Sequence, residues 1–223
     1  MFKSFQILNT CVTECCLCPR LVKFREHVPE KFTDQKYWKK PVPGFGDPEA
    51  HLLILGLAPS AQGGNRTGRI FTGDASARFL FQGLHKEGFA NQPTSENIDD
   101  GLRLHDCYMT AAVKCVPPLN RPTPLEQKHC FPYLLNEFAL LKNVTAVLAL
   151  GGFAFNAYLH YVKSQGGPKL SLRFRHGEKH LLEGFPTVYT CYHPSPQNTN
   201  TGKLNLSMLC TVLKQIKVDH IHS

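Results

Sequence analysis

The stretch from residue 51 to 74 most constrains how this chain can fold. Leu52 to Gly56 is a continuous apolar run, and after Gly56 it gives way to a long loop of small and polar residues. A run with no polar alternation predicts a strand covered on both faces, as in a parallel sheet flanked by helices. The loop holds Arg66, Arg69 and one aromatic, Phe71, and a helical pattern begins near Asp74. Ligands of open α/β sheets bind beyond the carboxyl ends of the strands, so this loop is the first candidate for a site.

The same grammar recurs downstream. Short apolar runs at 107–112, 144–150 and 187–192 predict three more strands, and apolar residues at helical spacing follow each of the first three runs. Thr123, Pro124 and Glu126 form a helix start: a capping hydroxyl, proline at the first helical position and glutamate three after the cap. Residues 114–124 carry four prolines and predict an extended loop, and glycines around 166–177 punctuate a basic, hairpin-like insertion. The last helix is expected over about 204–218. Strands alternating with helices imply an α/β fold, read here as one three-layer domain over 1–223. Its centre is a four-stranded, mainly parallel sheet flanked by helices.

The 223 residues carry a formal net charge of +8, which favours a polyanionic partner without requiring one. No run approaches the roughly 18 apolar residues of a membrane span, and the polar start lacks a signal-peptide core. A cytoplasmic protein with no membrane partner, and a monomer, is expected. Nine cysteines in a reducing compartment point to metal binding or buried thiols rather than a disulfide framework. Cys15 and Cys18 form a C-x2-C pair, and Cys115 and Cys130 are fourteen residues apart. Four such thiolates could hold an iron–sulfur cluster or a structural zinc; the loose second pair leans toward a cluster, and buried free thiols are the rival reading. Cys16, Cys107, Cys191 and Cys210 read as structural, with Cys11 a spare.

The glycine loop lacks both the G-x-x-x-x-G-K-[ST] and the G-x-G-x-x-G spacing, so a nucleotide cradle is weakly supported. Asp74 has an ordinary role as a helix N-cap, Asn120 as a turn residue, Phe71 as core and His193 as a satisfied histidine. A ring in a ligand-end loop can also stack on a nucleobase. A histidine ending a strand before Pro194 favours a place in the site.

Together these pieces resemble the uracil-DNA glycosylase superfamily, and within it the iron–sulfur-containing family 5. The matching motifs are Gly56-Leu57-Ala58-Pro59 with residues 63–69, Phe71-Thr72-Gly73-Asp74, residues 111–115, residues 117–124 and His193-Pro194-Ser195-Pro196-Gln197-Asn198. Cys15, Cys18, Cys115 and Cys130 match the ligands of a structural 4Fe-4S cluster in that family. The motifs keep their order from Cys15 to about Lys203.

The resemblance implies a DNA-repair enzyme that flips a deaminated base out of the duplex and hydrolyses its N-glycosidic bond, leaving an abasic site. Phe71 would stack on the base, with Gly56, Leu57, Ala58, Pro59 and Ala111 shaping the pocket. His193 would hydrogen-bond the departing base, and Asp74 and Asn120 would handle the water and the sugar cation. Lys114, Arg121 and Lys203 would contact the DNA backbone, and the loop after His193 would enter the duplex, although it holds no large apolar residue. Two departures matter. Sister families place an acid or amide in the first motif, where this chain has Leu57, Ala58 and Gln62; family 4 reads uracil with an asparagine where this chain has Ala111. Both imply a less selective pocket, open to hypoxanthine as well as uracil. The rival reading is a non-catalytic iron–sulfur DNA-binding protein.

Overall fold

The structure, a computed structural model, describes residues 2–168 and 171–220. Two helices lead, α1 (Phe5–Thr13) and α2 (Pro19–Glu26), followed by β1 (Phe45–Gly46) and β2 (Leu52–Gly56). After β2 come α3 (Gly64–Thr67), α4 (Ala75–Lys86), β3 (Cys107–Ala111), a 3-10 turn at Pro118–Asn120 and α5 (Pro124–Leu140). The chain ends with β4 (Ala146–Leu150), α6 (Gly152–Ser164), β5 (Lys179–Leu182), β6 (Phe185–Cys191), α7 (Pro196–Thr199) and α8 (Leu206–His220).

The sheet has six strands in the order β1-β3-β2-β4-β6-β5, not four. The four expected strands are its parallel centre, and β1 and β5 add antiparallel edges. Neither edge carries a buried-strand pattern. Gly46 ends the two-residue β1 at a φ of 132°, and β5 reads Lys-His-Leu-Leu with only Leu182 buried. An edge strand faces solvent and can be polar, so hydrophobic periodicity does not find it. The described residues of 166–177 form no hairpin; a hairpin lies just after them, with residues 183–184 joining β5 to β6, and residues 169–170 of the basic segment fall outside the described residues.

Side chains alternate across the central strands and divide the core in two. Leu52, Ile54, Met109 and Leu148 face α4 and α8, while Leu53, Leu55, Tyr108 and Val147 face α5 and α6. The helices of the first layer approach closely because α4 carries Gly83, where a Cβ would stand 2.6 Å from Leu209. Asp74 and Thr123 cap α4 and α5 as the sequence predicts, Thr123 within a complete capping box. No helix among the described residues is long and apolar enough to cross a membrane.

A buried ion pair ties β3 to α5. Lys114 Nζ donates to both carboxylate oxygens of Glu137 at 2.8 Å and to Thr110 Oγ1 at 2.6 Å, and both charged side chains are 1% exposed. Lys114 is therefore not a DNA-backbone contact: its ammonium is spent inside the protein. Removing one member of a desolvated pair strands the other charge. Glu137→Ala is expected to destabilise the fold by ~3–5 kcal/mol, whereas the apolar double substitution Lys114→Met with Glu137→Leu recovers most of that loss. Urea unfolding checks this, and a Glu137→Ala protein as stable as the parent would contradict it.

Candidate active site

The ends of β2 and β3 lie side by side. Gly56 is in register with Ala111, and beyond them the Ala112 N–H donates to Gly56 O at 3.0 Å and the Val113 N–H to Leu57 O at 2.9 Å. At this edge the lack of a side chain on Gly56 is used. A Cβ there would lie 2.8 Å from two atoms of the Phe71 ring, so the ring rests directly on the strand end. Phe71 has a φ of 48°, a conformation that L side chains seldom adopt and that the surrounding loop must impose.

That loop is braced by its arginines. Arg66 donates to Gln62 O at 2.7 Å and Gly73 O at 2.8 Å. Arg69 donates to Thr72 and Ser95 hydroxyls at 2.9 Å and forks onto the Asp100 carboxylate at 2.8 and 2.9 Å. Both guanidinium groups are buried in these contacts and shape the loop rather than face a ligand. The amides of this stretch are also engaged: Gln62 donates to Pro29 O at 2.8 Å and accepts from Tyr37, and Asn65 donates to Arg25 O at 3.1 Å.

His193 follows β6 by two residues and is half-buried. Its ring centroid lies 6.0 Å from that of Phe71, with the planes tilted 34°. Gly151, at a φ of 92°, lets the turn into α6 approach, since a Cβ there would stand 3.3 Å from His193 Cβ. Burial pushes the imidazole below its ordinary pKa, and the nearby Asp74 carboxylate opposes this more weakly. The ring is therefore neutral at neutral pH and can donate one N–H.

Asp74 serves two purposes. Its Oδ1 accepts the Ala77 N–H at 2.8 Å as the cap of α4, and its Oδ2 accepts from the Ser60 hydroxyl. Ser60 Oγ in turn accepts the Gly63 N–H at 3.0 Å, and a Cβ on Gly63 would stand 2.3 Å from Asp74 Oδ2. Ser60 is a positioning residue absent from the sequence reading; its only sequence signal is a hydroxyl three residues before the close-packed Gly63.

The remaining candidates are placed as follows. Leu57 and Ala58 are half-buried and Pro59 buried, with Pro59 against Gly64; Ala58 packs against the cysteine-lined cluster rather than Phe71. Asn120 is exposed on the 3-10 turn at a φ of 54°, and its side chain makes no hydrogen bond among the described residues. Arg121 is exposed, and Lys203 Nζ sits 4.6 Å from the centre of the Tyr192 ring. Tyr192 also stacks on His176 at 4.9 Å, an aromatic platform beside His193 that the sequence reading lacked. A cavity of about 770 Å3 between α5 and α6, lined by Phe131, Leu134, Phe153 and Ala157, belongs to the other face of the sheet and touches none of Phe71, Asp74 or His193.

The four cysteines Cys15, Cys18, Cys115 and Cys130 line one small cavity with Leu21 and Arg25. The Lys114 N–H points at Cys130 Sγ at 3.5 Å, and Arg25 Nη1 donates to Cys115 Sγ at 3.2 Å. Burial pushes the Cys18 and Cys115 thiols up to about 11 and Cys130 up to about 12. As placed, no three His, Cys, Asp or Glu side chains among the described residues form a metal-holding group. Arg25 Nε is nevertheless buried without a partner, and its cation faces the cavity that the sulfurs surround. That donor set fits an anionic thiolate-bound group. Cys16, expected to be structural, is exposed instead, while Cys107, Cys191 and Cys210 are buried.

Comparison with known proteins places this geometry in a class. Residues 43–217 match the model of the uracil DNA glycosylase superfamily, and the chain belongs to that superfamily. Within it, the chain is similar to proteins named type-5 uracil-DNA glycosylase. The Thermus thermophilus protein is 47% identical over 209 residues, covering 92% of this chain and 94% of that relative. The Mycobacterium tuberculosis protein is 45% identical over 215 residues, covering 94% and 80%, and that of Pyrobaculum aerophilum is 43% identical over 210 residues, covering 93% and 90%. A type-4 uracil-DNA glycosylase of Pyrobaculum aerophilum is 35% identical over 149 residues, 66% of this chain and 61% of the relative.

The histidines give the site a measurable pH signature. Folding lowers the pKa of His193 and of His176, whose Nδ1 accepts the Tyr192 N–H at 3.1 Å and must be unprotonated there. The unfolded chain therefore takes up these protons first, so the stability is present above about pH 6.5 and is lost as the pH falls below it. Replacing both histidines by glutamine is expected to flatten the fall in urea midpoint between about pH 7 and about pH 5, relative to the parent. An unchanged slope would contradict the assignment.

Proposed function

We infer that this chain is a monofunctional uracil-DNA glycosylase, which hydrolyses the base–sugar bond of uracil in DNA and leaves an abasic site. The observation that carries the reading is the Phe71 ring resting on Gly56, with the neutral His193 at 6.0 Å and Asp74 close to that histidine. A base swung out of the duplex finds an aromatic face to stack on and a hydrogen-bond donor for its carbonyl edge. As the glycosidic bond breaks, negative charge grows on the base and positive charge on the sugar. The His193 N–H offsets the first, in a site already partly dry, so the donor need not be reorganised at the moment of reaction. Asp74, fixed by Ser60 and Ala77, is placed to offset the second. Asn120, whose amide makes no hydrogen bond among the described residues, orients the attacking water together with Asp74. No lysine among the described residues is placed as an obvious Schiff-base nucleophile, and Lys114, the lysine of the second motif, is held by Glu137.

The pocket also supports a broader substrate range than uracil. Ala111 is 2% exposed at the end of β3 and offers no hydrogen bond to a base edge, and Gln62 is engaged elsewhere. With no group demanding the uracil pattern, a hypoxanthine or another deaminated base meets no unpaired polar group. DNA itself would be held by Arg121 and Lys203, whose charges face solvent, and affinity would fall steeply with salt. Cys15, Cys18, Cys115 and Cys130 would hold a 4Fe-4S cluster, with Arg25 against its charge. Its contribution is structural, tying α2 to the loop that follows β3.

Single-turnover cleavage of oligonucleotides tests the activity. Uracil opposite guanine is expected to be cut, hypoxanthine and xanthine more slowly, and normal bases not at all. His193→Ala is expected to lose about a hundredfold or more, the typical effect of removing one such donor. Asp74→Asn, which keeps a capping oxygen, is expected to lose rate without the ~1 kcal/mol stability loss that Asp74→Ala adds. Tight binding without cleavage would instead favour a non-catalytic DNA-binding protein. For the cluster, purified protein is expected to be brown with about four irons per chain, and Cys115→Ser to lose both colour and iron; stoichiometric zinc without iron would refute the cluster and leave the fold intact.

A further inference from the structure

Base extrusion leaves a gap in the duplex, and enzymes that kink or open DNA commonly fill such a step with an apolar side chain. The loop after His193 offers none: no exposed large apolar side chain stands between His193 and Lys203 among the described residues. The structure presents such a side chain elsewhere. Leu119, on the 3-10 turn after β3, is 85% exposed, more than any other large hydrophobic side chain described. It also holds a φ of 54°, and Asn120 beside it does the same. A leucine in the left-handed region is disfavoured, and backbone conformations of this kind persist where the surroundings impose them.

Here the surroundings do impose it. Pro117 precedes the turn, Pro118 opens it and Pro122 follows it, and the turn is closed by the Asn120 N–H to Pro117 O at 3.2 Å and the Arg121 N–H to Pro118 O at 3.0 Å. Arg20 then clamps the far side, donating to Arg121 O at 3.1 Å and to both oxygens of Glu126 at 2.8 Å. The near side runs through Val113, which is still hydrogen-bonded to Leu57 of the base pocket at 2.9 Å. The turn thus leaves the same sheet edge as the pocket, on a rigid stem, with an apolar tip next to Asn120 and the exposed cation of Arg121.

We propose that Leu119 is the wedge that enters the duplex and takes the place of the extruded base. The proposal rests on the glycosylase reading above and adds to it a residue that acts on the duplex rather than on the bond. It requires that Leu119 matter in proportion to how much base pairing must be broken, and not at all where there is none.

The test compares the full-length parent, Leu119→Ala and Leu119→Phe in single-turnover cleavage of uracil opposite adenine, opposite guanine and in single-stranded DNA. A 2-aminopurine beside the uracil reports unstacking on binding, independently of cleavage. Leu119→Ala is expected to lose about tenfold or more on U·A, less on U·G and nothing on the single strand, and to lose the fluorescence rise; Leu119→Phe is expected to keep both. Equal loss on single-stranded and duplex DNA would mean that the substitution disturbs Asn120, and would overturn the wedge. Unchanged duplex rates and fluorescence would overturn it as well, leaving the glycosylase reading intact. If the parent cuts no substrate, that reading fails, and the fluorescence comparison alone decides whether Leu119 opens the duplex.

Discussion

The contact between the Phe71 ring and the bare backbone of Gly56 fixes the scale of everything around it. A methyl group at residue 56 would collide with the ring at 2.8 Å, so only a strand ending without a side chain can carry an aromatic floor so close to the sheet. With the ring at that height, His193, arriving from a strand two places across the sheet, comes to 6.0 Å of it and is drawn out of water. The desolvation that lowers the imidazole's affinity for a proton follows from that packing. A neutral imidazole beside the aromatic ring is thus a consequence of how the strand ends meet.

Two positions along the chain after β3 carry the stability of the region. Lys114 turns into the protein to meet Glu137 and Thr110, and the residues on either side of it, Val113 and Cys115, contribute to the cysteine-lined cluster. Twelve residues beyond Lys114, Glu126 closes the cap of α5 and accepts the fork of Arg20. The segment between them carries the proline-rich turn, so an exposed loop is held at one end by a buried ion pair and at the other by the buried Glu126 with a half-exposed Arg20. Such a loop can present strained residues without collapsing.

What the sequence reveals of this fold follows from burial. The four central strands stand out because both of their faces are covered, and runs such as Leu52 to Gly56 and Ala146 to Leu150 admit little else. The edges β1 and β5 carry no such demand and leave no pattern. Caps are equally visible, since Asp74 and Thr123 act within three residues of themselves. Lys114 shows the opposite case: its partner is 23 residues away, on the next helix, and a lysine between Val113 and Cys115 reads as surface charge. Ser60 is silent for the same reason, because its acceptor Asp74 becomes a neighbour only when the loop closes. Leu119 reads as one more apolar residue in a proline run, and only the folded turn shows that it points outward.

Ser60 also bears on the bare first motif. With Leu57 and Ala58 at the strand end and Gln62 turned away to Pro29 and Tyr37, the polar group at this corner of the pocket is a hydroxyl that holds a carboxylate rather than facing the base. The acid has in effect moved from the strand end to the start of α4. There one oxygen is committed to the Ala77 N–H and the other to Ser60. A carboxylate gripped on both oxygens is better suited to standing still as a fixed negative charge than to swinging as a base. On the proposed glycosylase reading, that would suit a reaction in which the bond to the leaving base breaks early and the sugar cation then takes up water. On that same reading the bare motif would be no loss of catalytic equipment, but the mark of a site that stabilises departure more than it drives attack.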